Sequence, residues 1–184
     1  MTDSLSWLNG QLLESPQISA ESRGLLVGFG LFETIKVDQG QPHFLERHLL
    51  RLQLGCRRMQ LPDVSLAQIQ SAIALVIQSN PKHQHLARLR ITVTGNAEGA
   101  DTLITIHSMQ PWPETTTGTI VPWVRNERSP LAGVKTTSYA ENVMAQRWAQ
   151  GRGFTEGLFL NSVGELCEGA TSNIFVVKGD EVLT

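Results

Sequence analysis

The chain is poor in the side chains and runs that mark several large protein classes. It has only two cysteines, Cys56 and Cys167, in 184 residues. Two thiols cannot build a disulfide framework, so both read as reduced. Charge of either sign is sparse: 15 Lys and Arg stand against 17 Asp and Glu, a formal balance of −2. The cations are scattered, which argues against a nucleic-acid footprint. No run approaches the roughly 18 apolar residues of a membrane span. The opening Met1-Thr2-Asp3-Ser4-Leu5-Ser6 lacks the basic stretch and apolar core of a signal peptide, so the expected location is the cytoplasm. There is no G-x-S-x-G elbow and no Walker loop, and Gly28-x-Gly30 lacks the third glycine and the strand–turn–helix setting of a dinucleotide fingerprint. His83-x-His85 has no third ligand nearby, so no metal site is expected.

What is present is a globular pattern, 41% hydrophobic and 17% charged. Residues 6–13 read as a strand and turn around Asn9-Gly10. Leu31-Phe32-Glu33-Thr34-Ile35-Lys36-Val37 alternates like a strand and closes at Gln39-Gly40-Gln41-Pro42. Leu45, Leu49, Leu52, Cys56 and Met59 form one stripe of a helix over 44–59. Asp63 or Ser65 caps a second helix over 65–79, with Leu66, Ile69, Ile73, Val76 and Ile77 inward. Leu89, Ile91 and Val93 alternate with Arg88, Arg90, Thr92 and Thr94, and 103–107 reads as the partner strand.

Pro111-Trp112-Pro113 breaks the periodicity and marks a linker at 111–113, between a domain over 1–110 and a second over 114–184. A strand over 119–124 comes next. A helix over 139–150 has the capping box Ser138-x-x-Glu141 and Gly151 just past its end. Strands at 157–160, 165–167 and 173–177 and a hairpin at Lys178-Gly179-Asp180 finish the chain. Strands and helices without strict βαβ alternation predict an α+β fold.

One lysine of four stands apart. Lys135 has no charged residue within five positions on either side, in Leu131-Ala132-Gly133-Val134-Lys135-Thr136-Thr137-Ser138-Tyr139. Burial of such a lysine lowers its pKa and makes it nucleophilic toward a carbonyl. Glu168-Gly169-Ala170-Thr171-Ser172-Asn173 offers a carboxylate and short polar groups. A lysine for a Schiff base and a carboxylate for a pyridine nitrogen suit pyridoxal phosphate (PLP). Arg51 is a candidate phosphate clamp, although Arg47, Arg51, Arg57 and Arg58 also read as a solvated helix face. Arg90 faces away from the apolar side of its strand and reads either as a ligand for a substrate carboxylate or as a surface charge.

Four stretches together resemble the class IV (fold type IV) PLP-dependent family, which includes branched-chain and D-amino-acid aminotransferases and aminodeoxychorismate lyase. They are Gly28-Phe29-Gly30-Leu31-Phe32-Glu33-Thr34, His48-Leu49-Leu50-Arg51-Leu52, Lys135 through Ala145, and Glu168 through Phe175. The resemblance implies a D-amino-acid aminotransferase-like fold, a small first domain followed by part of a larger one, and a homodimer. It implies Lys135 as the Schiff-base lysine and proton carrier, with Glu168 on the pyridine nitrogen and Arg51 on the phosphate. Tyr139, Thr171 and Ser172 would lie beside the cofactor, and Phe32 and Arg90 would line the substrate pocket. Gly28-Phe29-Gly30 stands where the family usually has Gly-Asp-Gly. Thr94 stands where D-amino-acid enzymes carry an Arg before the strand's final glycine. Family members run longer, so a truncated, non-catalytic homologue is one alternative and aminodeoxychorismate lyase is the other. Tyr139 tips the expectation to an amino-acid aminotransferase.

Overall fold

The computed structural model describes residues 4–184, and the chain divides into two compact units. The first runs through Pro111 and takes in Gly133–Ser138. The second comprises Trp112–Ala132 and Tyr139–Thr184. Lys135 is therefore part of the first unit.

In that unit β1 (Ser6–Leu8) and β2 (Gln11–Leu13) form a hairpin. Its turn residues, Asn9 and Gly10, both take positive φ, 48° and 98°, as the Asn-Gly signal predicts. A short helix, α1 (Arg23–Val27), leads into β3 (Gly30–Asp38), which turns back into β4 (Gln41–Pro42). Helices α2 (Leu45–Arg58) and α3 (Leu66–Ser79) follow, then β5 (Leu86–Gly95) and β6 (Ala100–Ser108). The sheet order is β2-β1-β6-β5-β3-β4, with every pair antiparallel.

One face of this sheet carries the core. Leu31, Ile35 and Val37 of β3, Leu89, Ile91 and Val93 of β5, and Ile104 and Ile106 of β6 recur at every second position. They form one buried cluster with Leu49, Leu52 and Cys56 of α2 and Ile69, Ile73, Val76 and Ile77 of α3. A period of two on the strands meets a period of 3.6 on the helices, so both patterns close on the same core. Burial, followed by the charge of Asp63, pushes the Cys56 thiol up to about 11. Cys56 is thus a neutral packing group at ordinary pH. Ser65 is the α3 cap, its hydroxyl accepting from Gln68 N–H at 3.3 Å. Asp63 instead pairs with Arg57.

The second unit holds β7 (Gly118–Arg125), α4 (Ala140–Gln150), β8 (Glu156–Asn161), β9 (Leu166–Gly169) and a hairpin of β10 (Val176–Lys178) and β11 (Glu181–Leu183). Strands β7 and β8 run parallel, and β9 adds antiparallel to β8. Val121, Ala145, Phe159 and Ala170 bury together, with Trp148 packed against them. Gly157 lets α4 lie close to β8, since a Cβ there would come within 2.9 Å of the Ala145 carbonyl oxygen.

The α+β expectation holds, and the structure corrects two local readings. The Ser138-x-x-Glu141 capping box does not form: α4 has Tyr139 at its N-cap and no side-chain cap. Ser138 Oγ donates to the Gly28 carbonyl, and Glu141 pairs with Arg125. Gly151 does stand just past the end of α4, at its C-cap, with φ −63°. The strand expected over 173–177 begins only at Val176. Helix α1 was not expected, because five residues with no buried side chain carry no helical stripe. Among the described residues, no helix is long and apolar enough to cross a membrane, and no group of three His, Cys, Asp or Glu side chains could hold a metal ion.

Two substitutions test this packing. Ile91→Ala in the first core is expected to lower unfolding stability by about 2–5 kcal/mol in urea titration. Gly157→Ala is expected to loosen the second unit, by about 1–3 kcal/mol. Hydrogen exchange resolved by segment should show faster exchange in α4 and β8 while β5 stays protected.

Candidate active site

Lys135 is held by a strip that pairs with the start of β3. Phe32 N–H donates to the Lys135 carbonyl at 3.0 Å, and Thr137 N–H donates to the Gly30 carbonyl at 2.9 Å. Leu31 and Thr136 form the bridge between these bonds. Two hydroxyls add to the attachment: Thr137 Oγ1 donates to the Gly28 carbonyl at 2.8 Å and Ser138 Oγ to the same oxygen at 3.0 Å. The glycines permit this approach. Gly28 has φ +65°, and a Cβ on it would lie 2.5 Å from Ser138 Oγ and 3.1 Å from Ser138 Cα. A Cβ on Gly30 would lie 3.0 Å from Thr137 Oγ1 of the strip, and 2.6 Å from the Val93 carbonyl oxygen of β5. Gly28-Phe29-Gly30 is therefore a docking strip for the lysine segment.

The lysine ammonium lies over an aromatic face. Lys135 Nζ is 4.3 Å from the Phe32 ring centroid, and the Arg90 guanidinium carbon is 3.8 Å from it. Phe32 pairs with Thr92 and Thr34 with Arg90, so Arg90 is the diagonal cross-strand neighbour of Phe32. Arg90 Nε donates to Thr92 Oγ1 at 3.1 Å. Phe32, Arg90 and Lys135, three of the sequence candidates, thus meet at one ring, whose negative face suits cations.

Arg51 has a partner that sequence reasoning missed. Glu33 lies on the buried face of β3 between Leu31 and Ile35 and is 1% exposed. Arg51 Nε and Nη2 each donate to its carboxylate at 2.6 Å, and His48 Nδ1 donates at 2.8 Å, since an ionised carboxylate only accepts. His48 and Arg51 are three residues apart on α2 and so share one helix face. Burial opposes ionisation of Glu33. The hydrogen bonds and charges of Arg51 and His48 outweigh it and hold the carboxyl below its ordinary value. The signal for Glu33 was its inward parity on an otherwise apolar strand face. Two of the three Arg51 nitrogens are committed to Glu33, which leaves Nη1 for an anion. A pocket of about 160 Å³ opens here, lined by Phe32, Glu33, Arg51, Arg58, Val134 and Lys135 among others.

The remaining candidates lie in the second unit. Glu168 on β9 is register partner to Phe159 on β8, and its Oε1 is 2.7 Å from Arg125 Nε. That contact is an ion pair without hydrogen-bond alignment, because Arg125 Nε has no hydrogen-bond partner. Tyr139 Oη and Asn142 Nδ2 both donate to the Ala170 carbonyl, at 3.1 and 2.7 Å. Thr171 donates twice to Glu156, from N–H at 3.1 Å and from Oγ1 at 2.8 Å. Ser172 closes the turn, its carbonyl accepting from Gly169 N–H at 3.0 Å. Arg125 and Asn142 carried no sequence signal strong enough to single them out.

The profile of the family described as Amino-transferase class IV matches residues 30–184, and the chain belongs to that family. The family is PLP-dependent. The aminodeoxychorismate lyase of Bacillus subtilis (strain 168) is 26% identical over 193 residues, covering 97% of this chain and 66% of the relative. A bifunctional aminodeoxychorismate lyase / D-amino acid transaminase of Mycobacterium tuberculosis is 25% identical, covering 95% of this chain and 66% of the relative. The crystal structure of 4-amino-4-deoxychorismate lyase from Pseudomonas aeruginosa superposes with a TM-score of 0.79 at 29% identity, covering 97% of this chain and 69% of that one. The chain thus spans about two thirds of the length of these relatives.

The Glu33 contact has a pH signature. Its stabilisation is complete above the ordinary glutamate range and is lost as pH falls through the depressed native value. The acid limb of the stability profile should therefore flatten in Glu33→Gln when both proteins are unfolded by urea at a series of acid pH values. Arg51→Met leaves the carboxylate buried on His48 alone. Removing one member of a buried pair costs ~3–5 kcal/mol, and with His48 retained and Arg51 half-exposed the expected loss is about 2 kcal/mol near neutral pH.

Proposed function

We propose that the chain forms part of a PLP-dependent enzyme acting on an amino-acid substrate, an amino-acid aminotransferase of class IV. The observation that carries this reading is Lys135 Nζ over the Phe32 ring in a pocket that Arg51 also lines. The cofactor asks for an amine at its aldehyde, a cation at its phosphate and a carboxylate at its ring nitrogen. Lys135, Arg51 and Glu168 are a donor set of that chemistry.

When bound, PLP supplies an electron sink for charge developing at the substrate α-carbon. In this reading Lys135 Nζ holds the cofactor and then moves the proton at the α-carbon as general base and acid. Arg51, kept in place by Glu33, would hold the phosphate. Glu168 holds the proton on the ring nitrogen. Tyr139, Thr171 and Ser172 contact the cofactor, and Phe32 and Arg90 orient the substrate, with Arg90 taking its carboxylate. A cytoplasmic homodimer is part of the same reading.

A second reaction fits the same residues. Elimination to 4-aminobenzoate and pyruvate, the aminodeoxychorismate lyase reaction, is supported by the similarity to aminodeoxychorismate lyases at 26% and 29% identity. Lys135 and Glu168 serve both outcomes, so product assays separate them.

Addition of PLP to the purified chain is expected to give a visible absorbance band. Borohydride should then fix the cofactor on the peptide containing Lys135, and Lys135→Ala should lose the band while keeping its circular dichroism. A band retained in Lys135→Ala sinks the lysine assignment. No band in the wild type sinks the reading for this chain. Keto-acid release from an amino acid supports transamination, and 4-aminobenzoate release from aminodeoxychorismate supports the lyase.

A further inference from the structure

Arg125 is built into the second unit more firmly than a surface arginine needs. It ends β7 opposite Asn161 of β8, and only 18% of its side chain is exposed. Its guanidinium stacks 4.1 Å above the ring of Phe159, which is fully buried. One edge meets Glu141 in the first turn of α4, where a carboxylate is favoured by the helix dipole. The other edge, Nε, lies against Glu168 Oε1 at 2.7 Å. The guanidinium is thus held from below by a ring and from one side by an anion before it reaches Glu168.

Glu168 is different. It is 43% exposed and stands on a four-residue strand. A glutamate in that setting has several rotamers, and holding one of them costs side-chain entropy. Glu168 and Phe159 are register partners, so they project to the same side of β8 and β9, and Arg125 covers that side. An anchored cation above a mobile carboxylate selects the rotamer that brings one oxygen to it. One carboxylate oxygen, Oε1, meets the cation, and 43% of the side chain remains exposed.

We propose that Arg125 is the positioning residue for Glu168: the anchored guanidinium holds Oε1 so that Oε2 is presented to the ring nitrogen of PLP. The inference rests on the PLP reading given above. Arg125 touches neither cofactor nor substrate and acts only through the carboxylate. Planarity matters as well as charge, because a guanidinium can stack on Phe159 and bridge Glu141 and Glu168 at once, whereas an ammonium is a point charge.

The test is a double-mutant cycle on the full chain, read as the dissociation constant for PLP and as the pH at which the visible band of the bound cofactor titrates. Arg125→Met keeps the apolar stem over Phe159 and removes the charge. It is expected to weaken PLP binding about tenfold and to move the band's titration when Glu168 is present. In the Glu168→Gln background the same change should weaken binding less than twofold and leave the titration in place, since the effects of residues acting through one another do not add. Arg125→Lys should recover part of the affinity. Equal loss in both backgrounds, or no loss in either, overturns the proposal. If Arg125→Met fails to fold by circular dichroism, Arg125→Lys carries the same cycle, with an expected loss of about threefold that vanishes in Glu168→Gln. Failure of the wild type to take up PLP overturns the parent reading and the role of Arg125 with it. Uptake by the wild type with additive losses overturns the role of Arg125 alone.

Discussion

A carboxylate stands among aliphatic side chains on the buried face of β3, and the first unit is arranged around keeping it ionised. Glu33 occupies a position that, by parity, belongs to a Leu or Val like its neighbours Leu31, Ile35 and Val37. Its charge is tolerable only because α2 brings Arg51 and His48 onto it. The same contact fixes α2 against the strand and turns a half-exposed arginine into a preorganised one. An arginine already held by two nitrogens has fewer rotamers to give up when an anion arrives.

The lysine depends on a second constraint, the absence of side chains at Gly28 and Gly30. A Cβ at either position would press on the strip carrying Lys135, at Ser138 from Gly28 and at Thr137 Oγ1 from Gly30. The two constraints act on adjacent residues of one strand. Gly30 admits the strip, Phe32 supplies the face beneath Nζ, and Glu33 holds Arg51, which lines the same pocket as Lys135. Alternation along β3 thus assigns odd positions to the core and the carboxylate, and Phe32 to the lysine and Arg90.

Much of this was legible in the sequence, for a physical reason. Strands β3, β5 and β6 and helices α2 and α3 bury one face each, so apolar periodicity reports them directly. Lys135 stood out because nothing charged surrounds it. The partnerships were harder to see. Glu33 looked like one more polar residue in an alternating strand, and Ser138 followed by Glu141 looked like a cap. Both side chains serve distant partners instead, Ser138 the Gly28 carbonyl and Glu141 the Arg125 guanidinium. Contacts across a hundred residues, such as Ser138 to Gly28, leave no local spacing to read. Arg125 is a further case, since its neighbours come from a helix and two strands that follow it in the chain.

The strip over β3 has one more effect. Strand β4 covers only Val37 and Asp38, so the first residues of β3 lie at the rim of the six-stranded sheet. A bare rim offers a row of amides and carbonyls to any extended segment of another molecule and invites intermolecular strand addition. The segment that brings the lysine also takes up that hydrogen-bonding row. At the first residues of β3 the strip Gly133–Ser138 occupies the row that an added strand would need, so the segment that positions Lys135 also covers this edge.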